Sequence, residues 1–318
     1  MTAELTRRRF TGSALALAGW AAASRSTPAA AAPPAARPGA LRFALNAATI
    51  RGQKLPLPDQ LRAAAAAGYE GYEPWTSDLL AFRDGGGSLK DLGRECANRG
   101  LRIVSAIGFA KWIVDDDAER ARGVEQLKRE MEALAELGGT HIAAPPSGAT
   151  KPDVKLDLDR AAERYRAILA IGRGLGVLPQ IETWGASANL SRLAEAAYVA
   201  AQAGDPDACV LADAYHMYKG GSVPASLRLF SPRALHCFHL NDYPAQPPRE
   251  TIKDSDRIWP GDGIAPLGEI LGALSAGGGS LWLSLEVFNA EYWKLPVDEA
   301  CRTGLAKMKA VVAAAGSG

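Results

Sequence analysis

The chain has 318 residues, of which 47% are hydrophobic and 22% are charged, and its formal net charge is +1. A chain of this length and composition can bury one sizeable hydrophobic core. A near-neutral charge without a long basic run lacks the electrostatic signature of proteins that bind nucleic acid or anionic membrane surfaces, so we expect neither partner.

The first forty residues precede the regular pattern of strands and helices. The run Thr-Arg-Arg-Arg-Phe at residues 6–10 is followed by a short apolar segment, residues 14–23, and then by small residues and prolines. This order resembles a twin-arginine export signal, and a disordered Ala/Pro tail is the alternative. The apolar segment is shorter than the ~20 residues of a membrane-spanning helix. We therefore predict that residues 1–40 are a signal peptide with a linker, that residues 41–318 form the mature domain, and that this domain is periplasmic or secreted and free of the membrane.

From residue 41 onward, short β-like runs alternate with amphipathic helices that end on glycine. In chain order, the predicted elements are strand 41–46, helix 58–67, strand 71–75, helix 88–98, strand 101–107, helix 115–137, strand 141–144, helix 156–175, strand 178–182, helix 190–203, strand 210–213, helix 224–229, strand 235–239, helix 265–274, strand 281–286 and helix 297–314. Eight such units in about 280 residues predict an α/β fold, a single-domain (β/α)8 TIM barrel with parallel strands.

A doubly wound sheet is the alternative to the barrel. Its dinucleotide-binding form needs a glycine-rich turn directly after a strand. The glycine-rich run at residues 172–176 precedes a strand instead, and we interpret it as the end of a helix. The four cysteines, at positions 96, 209, 237 and 301, show no paired spacing, so we predict no required disulfide.

Four successive strands end in side chains that can bind a metal ion: Glu182, Asp213, His239 and Glu286. The carboxyl ends of parallel barrel strands converge on one face, so we expect these side chains to meet. Two carboxylates about 4 Å apart repel each other by ~4 kcal/mol at an effective dielectric of 20, which favours a bound cation or a proton. Oxygen-rich ligation with one imidazole predicts one divalent metal ion, Mn²⁺, Mg²⁺ or Co²⁺, with Zn²⁺ as a further candidate.

Side chains alternate between the two faces of a strand, and this predicts the direction of the remaining polar residues. If His239 points into the barrel mouth, His236 points outward toward the helices, and His141 lies at the opposite end of the barrel. Gln180 shares a face with Glu182, and Ser284 shares one with Glu286, so both can hydrogen-bond to the ligands.

Several aromatic residues follow predicted strands, and loops in these places line the mouth of a barrel. We predict that Trp112, Trp184 and Trp259 form walls of a substrate pocket. The alternative is that such residues pack the loops against the helices.

Five motifs together resemble the successive signatures of the xylose-isomerase-like TIM-barrel superfamily. The most similar branch is the sugar phosphate isomerase/epimerase group, which includes ketose 3-epimerases and hydroxypyruvate isomerase-like proteins. The motifs are Ile-Glu-Thr-Trp at 181–184, Asp-Ala-Tyr-His at 213–216, His-Leu-Asn-Asp at 239–242, Asp-Arg-Ile-Trp-Pro-Gly-Asp-Gly at 256–263 and Leu-Glu-Val at 285–287.

The resemblance implies a mononuclear metal site with Glu182, Asp213, His239 and Glu286 as ligands. It also implies that the two glutamates act as acid and base on opposite faces of a bound ketose.

The resemblance further implies that His216 and Arg257 contact substrate oxygens near the reacting carbon. Glu73, at the end of the second strand, matches another acid of the family pocket. The chain departs from the epimerases at residues 241–255, a longer loop just before Arg257.

These expectations describe a divalent-metal-dependent sugar isomerase or epimerase that removes a proton next to a carbonyl and forms a metal-stabilised enediolate. Its expected partner is a small carbohydrate, and it can also be a homo-oligomer. The alternatives are a lyase that acts on an oxidised glycoside by the same proton abstraction, and a non-catalytic periplasmic sugar-binding protein. An endonuclease of the same superfamily would need additional histidines for a multinuclear zinc site, and this chain has four in total.

Overall fold

The computed structural model describes residues 41–316. The predicted export signal, residues 1–40, lies outside the described residues. Within them, eight parallel strands alternate with helices, which confirms the predicted TIM barrel. The strands are β1 (Leu41–Asn46), β2 (Gly71–Glu73), β3 (Arg102–Ile103), β4 (His141–Ala144), β5 (Leu178–Glu182), β6 (Val210–Asp213), β7 (Cys237–Leu240) and β8 (Leu281–Leu285).

Each strand pairs in parallel with its neighbour in the order β3-β2-β1-β8-β7-β6-β5-β4. The segment just after β3 completes the circle, because the Ala106 N–H donates to the His141 carbonyl at 3.0 Å and the Ala143 N–H donates to the Ala106 carbonyl at 2.8 Å. The Gln180 amide also donates to the Ser105 hydroxyl at 3.1 Å. The barrel thus closes between β3 and β4 through residues that are not themselves part of a regular strand.

Helices surround the strands on the outside. They are α1 (Leu57–Ala67), α2 (Thr76–Asp84), α3 (Leu89–Asn98), α4 (Asp117–Leu137), α5 (Leu158–Leu175), α6 (Leu193–Gln202), α7 (Ala214–Gly220), α8 (Leu267–Ala276) and α9 (Val297–Ala315). Short 3-10 turns lie at Ala47–Gln53, Pro224–Leu229, Asp254–Asp256 and Tyr292–Lys294.

Capping residues explain where the longer helices begin and end. Asp116 precedes α4, and its carboxylate accepts the Glu119 N–H at 2.6 Å, which satisfies one of the free amides of the first turn. Gly138 ends this helix with φ 94°, a left-handed conformation that glycine adopts without a Cβ clash. Asp157 and Gly176 do the same for α5, so the glycine-rich run is the end of a helix, as predicted.

Several elements differ from the sequence-based prediction. Helix α2 (Thr76–Asp84) was not predicted, and the helix predicted at residues 224–229 is a 3-10 turn. The third strand was expected to reach residue 107, but regular pairing with β2 stops at Ile103 because the chain then turns to bond with β4 and with Trp75. Helix α7 was not predicted. Its seven residues are nucleated by Asp213, whose carboxylate accepts the His216 N–H at 2.9 Å.

The hydrophobic core lies mainly between the barrel and the helices. A smaller cluster of Ile107, Ala143, Leu211 and Cys237 packs against Trp75 and Trp282 and is separate from the main core. All four cysteines are buried and free. Among the described residues, no helix has both the length and the apolar character to cross a membrane.

The structure corrects the predicted orientation of His236. Its ring centroid lies 4.0 Å from that of His141. His141 is the first residue of β4 and lies at the amino end of the strands, opposite the carboxyl ends that carry the predicted ligands. Strands β4 and β7 are not neighbours, so this contact crosses the barrel interior. The alternation rule failed because β7 begins only at Cys237, and His236 precedes it.

Candidate active site

Three of the four predicted ligands form one cluster at the carboxyl ends of β6, β7 and β8. His239 Nδ1 lies 3.1 Å from Glu286 Oε2 and 3.6 Å from Asp213 Oδ2. One ligand atom from each of these residues lies within 4.8 Å of the others, and all three side chains are buried. The parallel register holds two of them side by side, because Asp213 pairs with His239.

Glu182 lies beside this cluster at the end of β5. It is 3% exposed, and its Oε2 has no hydrogen-bond partner. Burial raises the pKa of Glu182 to about 8; His239 counteracts the shift, and Glu286 and Asp213 add to it. A carboxyl in this environment can exchange a proton near neutral pH, which suits a general acid or base.

Charges within the cluster are strongly linked. Burial alone would lower the pKa of His239, but the carboxylates of Glu286 and Glu73 outweigh it and raise this pKa well above its ordinary value. Burial likewise opposes ionisation of Asp213, yet Arg257 holds the pKa of Asp213 well below its usual range. Nearby positive groups therefore favour the ionised form of Asp213 although it is buried, in contrast to the neighbouring Glu182.

Glu73 is behind His239 rather than in the cavity, which corrects its predicted contact with substrate. It is fully buried, and its Oε2 lies 2.9 Å from His239 Nε2 and accepts hydrogen bonds from Ser284 and Asn46, each at 2.8 Å. Burial opposes ionisation of Glu73, but His239 and these donors lower its pKa, so the residue is a carboxylate that can only accept. The predicted hydrogen bond from Ser284 thus goes to Glu73.

The donor set fits a divalent metal ion. Because His239 uses Nε2–H for Glu73, its other nitrogen, Nδ1, is directed at the oxygens of Asp213 and Glu286 and has no hydrogen-bond partner of its own. A histidine fixed by a carboxylate on one nitrogen and open on the other is the usual arrangement of a metal ligand. Glu182 supplies a further unpartnered oxygen nearby.

A second group, Glu73, Cys237 and His239, also places ligand atoms within 4.8 Å of one another. It fits a metal less well. Three hydrogen bonds already use Oε2 of Glu73, which leaves only its Oε1 without a partner, and burial raises the pKa of Cys237 well above its ordinary value, which keeps the thiol protonated.

Arg257 lies within the site, although it follows the long loop of residues 241–255. Its Nη1 donates to Asp213 at 3.0 Å and to Glu286 at 2.8 Å. Its Nη2 lies 3.0 Å from His216 Nε2 and also contacts Asp254. Arg257 and His216 therefore both border the predicted reaction centre, and their contact with substrate stays a prediction.

Two asparagines at the site were not found from the sequence. Asn46 ends β1 and donates to both Glu73 and Glu286. Asn241 donates to Asp213 at 3.0 Å and accepts the Tyr215 N–H. Both follow the rule that identified the four ligands, since each is a polar residue at the carboxyl end of a strand.

A cavity of about 500 Å³ opens over Glu182 and Glu286. Trp184 lines it together with Trp75, Phe109 and Phe288, as do His216, Asp254 and Arg257. The volume is in the range of ordinary small-molecule sites.

Trp112 and Trp259 are not among the residues that line this cavity, which corrects their predicted role. Trp112 is fully buried, and its indole N–H donates to the Pro145 carbonyl at 3.0 Å. Trp259 is 4% exposed and stacks on Tyr292 with ring centroids 4.0 Å apart. Both rings pack loops onto the barrel, because each finds a partner there for its face or its N–H.

Comparison with known proteins supports the fold. An inosose isomerase from Bacillus velezensis is 25% identical over 274 residues, which cover 86% of this chain and 97% of that protein. A 3-dehydroshikimate dehydratase from Pseudomonas aeruginosa is 28% identical over 265 residues, which cover 78% of this chain and 39% of that longer protein. The crystal structure of the IOLI protein with a bound zinc atom superposes with a TM-score of 0.78 at 23% identity and covers 86% of this chain and 99% of that one.

The family model described as "Xylose isomerase-like TIM barrel" matches residues 61–311. This range contains all four predicted ligands and both residues that border them, His216 and Arg257. The match covers most of the chain and agrees with the motifs in the sequence and with the topology of the strands. The chain therefore belongs to the xylose isomerase-like TIM-barrel family.

Proposed function

We propose that this protein is a divalent-metal-dependent isomerase or epimerase that moves a proton at a carbon next to a carbonyl of a carbohydrate. The observation that carries the proposal is the buried cluster of Asp213, His239 and Glu286, with Glu182 beside it, under a cavity lined by aromatic rings. The isomerase name of the Bacillus relative supports the same type of chemistry.

Asp213, His239, Glu286 and Glu182 would hold the metal ion. When bound, a divalent ion polarises a carbonyl and stabilises the negative charge that develops when a neighbouring proton leaves. The zinc atom of the related structure supports a divalent ion at this centre, and Mn²⁺, Mg²⁺ and Co²⁺ are the other candidates from the donor set.

The two glutamates carry the proton. Both line the cavity, and they come from strands on different sides of the cluster, so a ring or chain between them has one carboxyl on each face. One glutamate takes the proton from carbon, and the other returns a proton. Return to the opposite face of the same carbon gives epimerisation, whereas return to the former carbonyl carbon, with a proton shift between the oxygens, gives isomerisation.

The remaining polar groups hold these carboxylates in place. Arg257 and Asn46 each donate to Glu286, so its two oxygens have fixed directions. Glu182 has no such partner on Oε2, so this carboxyl is held less firmly by the protein and can take up or release a proton as substrate binds. This difference favours Glu182 as the group that moves the proton first.

Elimination is the second candidate, because a dehydratase is among the relatives. It begins with the same proton abstraction, and the acid on the other side then protonates a leaving hydroxyl or glycosidic oxygen. The two reactions differ in product and share the first step.

Solvent deuterium exchange tests that shared first step. We expect the metal-loaded protein to incorporate deuterium from D₂O into the carbon beside the carbonyl of at least one ketose or keto-cyclitol. Glu182→Gln and Glu286→Gln should each lower this rate by at least the 10²- to 10⁴-fold typical of one acid/base group, while sugar binding remains measurable.

Glu130→Gln is a matched control, because Glu130 is also a buried glutamate but lies on α4, outside the cluster and the cavity lining. It should exchange at the wild-type rate. If no carbohydrate on a broad panel exchanges while several bind, the enzyme proposal fails and the sugar-binding alternative replaces it.

A further inference from the structure

The cavity wall contains four aromatic rings in a continuous arc, which we call the aromatic arc: Phe288, Trp75, Phe109 and Trp184. Neighbouring ring centroids are 6.4 Å, 5.0 Å and 6.1 Å apart along this order. Phe109 remains 40% exposed, so the arc presents apolar surface to whatever enters. Aromatic faces of this kind suit the C–H faces of a sugar or cyclitol ring.

The charged residues that line the cavity are mostly acidic. Among the described residues they are Glu182, Glu286, Asp254 and Arg257. Asp213 adds a further carboxylate just beneath them. The single positive charge of Arg257 thus faces four carboxyl groups. Even with a divalent metal ion bound, the charges of Arg257, the four carboxyl groups and the metal ion do not add up to a net positive charge.

Both terminal nitrogens of the Arg257 guanidinium already contact other residues of the protein. Nη1 is bonded to Asp213 and Glu286, and Nη2 contacts His216 and Asp254. Nε is enclosed by protein and has no partner. The side chain is only 1% exposed, so a phosphate or carboxylate in the cavity would have to break an existing ion pair to reach it.

Three cations near the mouth have partners within the protein and do not line this cavity: Arg51, Lys111 and Lys219. The Arg51 guanidinium stacks at 3.7 Å on Trp75, lies 3.9 Å from Asp78 and borders a separate cavity. Lys111 is paired with Glu119.

Lys219 donates to two backbone carbonyls, those of residues 249 and 250. A bound anionic group would therefore meet acidic residues, and among the described lining residues it would find no Lys or Arg side chain free to receive it. Like-charge juxtaposition weakens binding strongly in a partly buried site.

We propose that the substrate is an uncharged polyhydroxy ketone, a ketose or keto-cyclitol without phosphate or carboxylate, held against the aromatic arc. This inference rests on the proposed function and narrows it. It separates the protein from relatives whose substrates carry an acid group, and it favours the neutral-substrate isomerase over the dehydratase alternative.

Matched pairs of compounds test the inference. D-Fructose and its 6-phosphate form one pair, and an inosose with 3-dehydroshikimate forms the other. For each compound, binding is measured by quenching of tryptophan fluorescence, since Trp75 and Trp184 line the cavity. Solvent deuterium exchange is measured in parallel on the metal-loaded protein. In at least one pair, we expect the neutral compound to bind at least tenfold more tightly than its anionic counterpart and to incorporate deuterium faster.

An added cation should change this preference. Ala186 lines the cavity and is exposed, so Ala186→Lys introduces an ammonium without disturbing the core. It should reduce the neutral-over-anionic ratio at least fivefold, whereas the uncharged control Ala186→Gln should leave the ratio within twofold of wild type.

The outcomes separate the two proposals. Anionic members that bind and exchange as well as neutral ones would overturn the inference and leave the isomerase proposal standing. Selective binding of neutral members without any exchange would support the inference and refute the isomerase proposal. No binding of any of the four compounds would overturn both.

Discussion

Glu73 offers a direct test of how the site fixes its histidine. The change Glu73→Gln keeps the size of the side chain and removes its charge. In the structure a single oxygen, Oε2, accepts hydrogen bonds from His239, Ser284 and Asn46, and it holds the histidine with Nδ1 directed at the carboxylates of Asp213 and Glu286. Glutamine can keep an oxygen at this position, with its amide in the place of Oε1, which has no hydrogen-bond partner, and it turns a charge-assisted bond into a neutral one.

The magnitude follows from the bond that is lost. A hydrogen bond to a charged group contributes about 1.5–3 kcal/mol and a neutral one about 0.5–1.5 kcal/mol, so the change weakens the support of His239 by about 1–2 kcal/mol. Each 1.4 kcal/mol is a factor of ten in an equilibrium constant. We expect metal affinity to fall about tenfold, within the 10- to 100-fold range of partners that orient metal-bound histidines.

The assay is competition for Mn²⁺ or Zn²⁺ with a chromophoric chelator, with circular dichroism to verify the fold. Ser284→Ala is the matched control, because it removes one donor from the same oxygen but keeps the carboxylate and its contact with His239. Its metal affinity should change less than threefold. Equal affinities in wild type and Glu73→Gln, or equal losses in the two variants, would refute this account of the histidine.

Two predictions concern regions away from the site. Burial, followed by the neighbouring His236, lowers the pKa of His141 in the folded protein to about 3. In the unfolded chain a histidine has a pKa of ~6.5, so below this pH the unfolded chain binds a proton that the folded protein does not, and the stability of the fold decreases. Between pH 7.5 and 5.0 the loss attributable to this group is about 2 kcal/mol, and urea unfolding should show a smaller loss in His141→Asn; identical pH dependence in both proteins would contradict the assignment. For the export signal, Arg7→Lys combined with Arg8→Lys should keep the protein in the cytoplasm by cell fractionation, whereas Arg9→Lys, which preserves the first pair, should not; equal periplasmic yields would refute the twin-arginine prediction.

The barrel and the clustering of three predicted ligands could be predicted because both follow from the topology of parallel strands. Parallel strands bring their carboxyl ends together whatever the intervening loops do, so Asp213, His239 and Glu286 meet although they are distant in sequence. The same rule could have included Asn46 and Asn241. Glu182 lies at the end of β5 as expected, but the cluster whose ligand atoms lie within 4.8 Å of one another contains only the other three predicted ligands.

Side-chain direction beyond a strand end could not be predicted in the same way. Trp112 and Trp184 both follow strands, yet the first turns inward to the Pro145 carbonyl and the second lines the cavity. The difference depends on which loop supplies a hydrogen-bond partner, and spacing along the chain carries no information about that. Arg257 reaches the cluster along a loop whose course is fixed by tertiary contacts.

The way in which the barrel closes has a consequence for its dynamics. The join between β3 and β4 depends on Ala106, which uses both its N–H and its carbonyl there, and Ile107, the next residue, already belongs to the cavity wall. Transient opening at this join would leave the helices intact and would widen the cavity at the same time. Amide hydrogen exchange at Ala106 and Ala143 therefore reports on a local opening of the barrel, and it does so at the place where a ligand would gain or lose room.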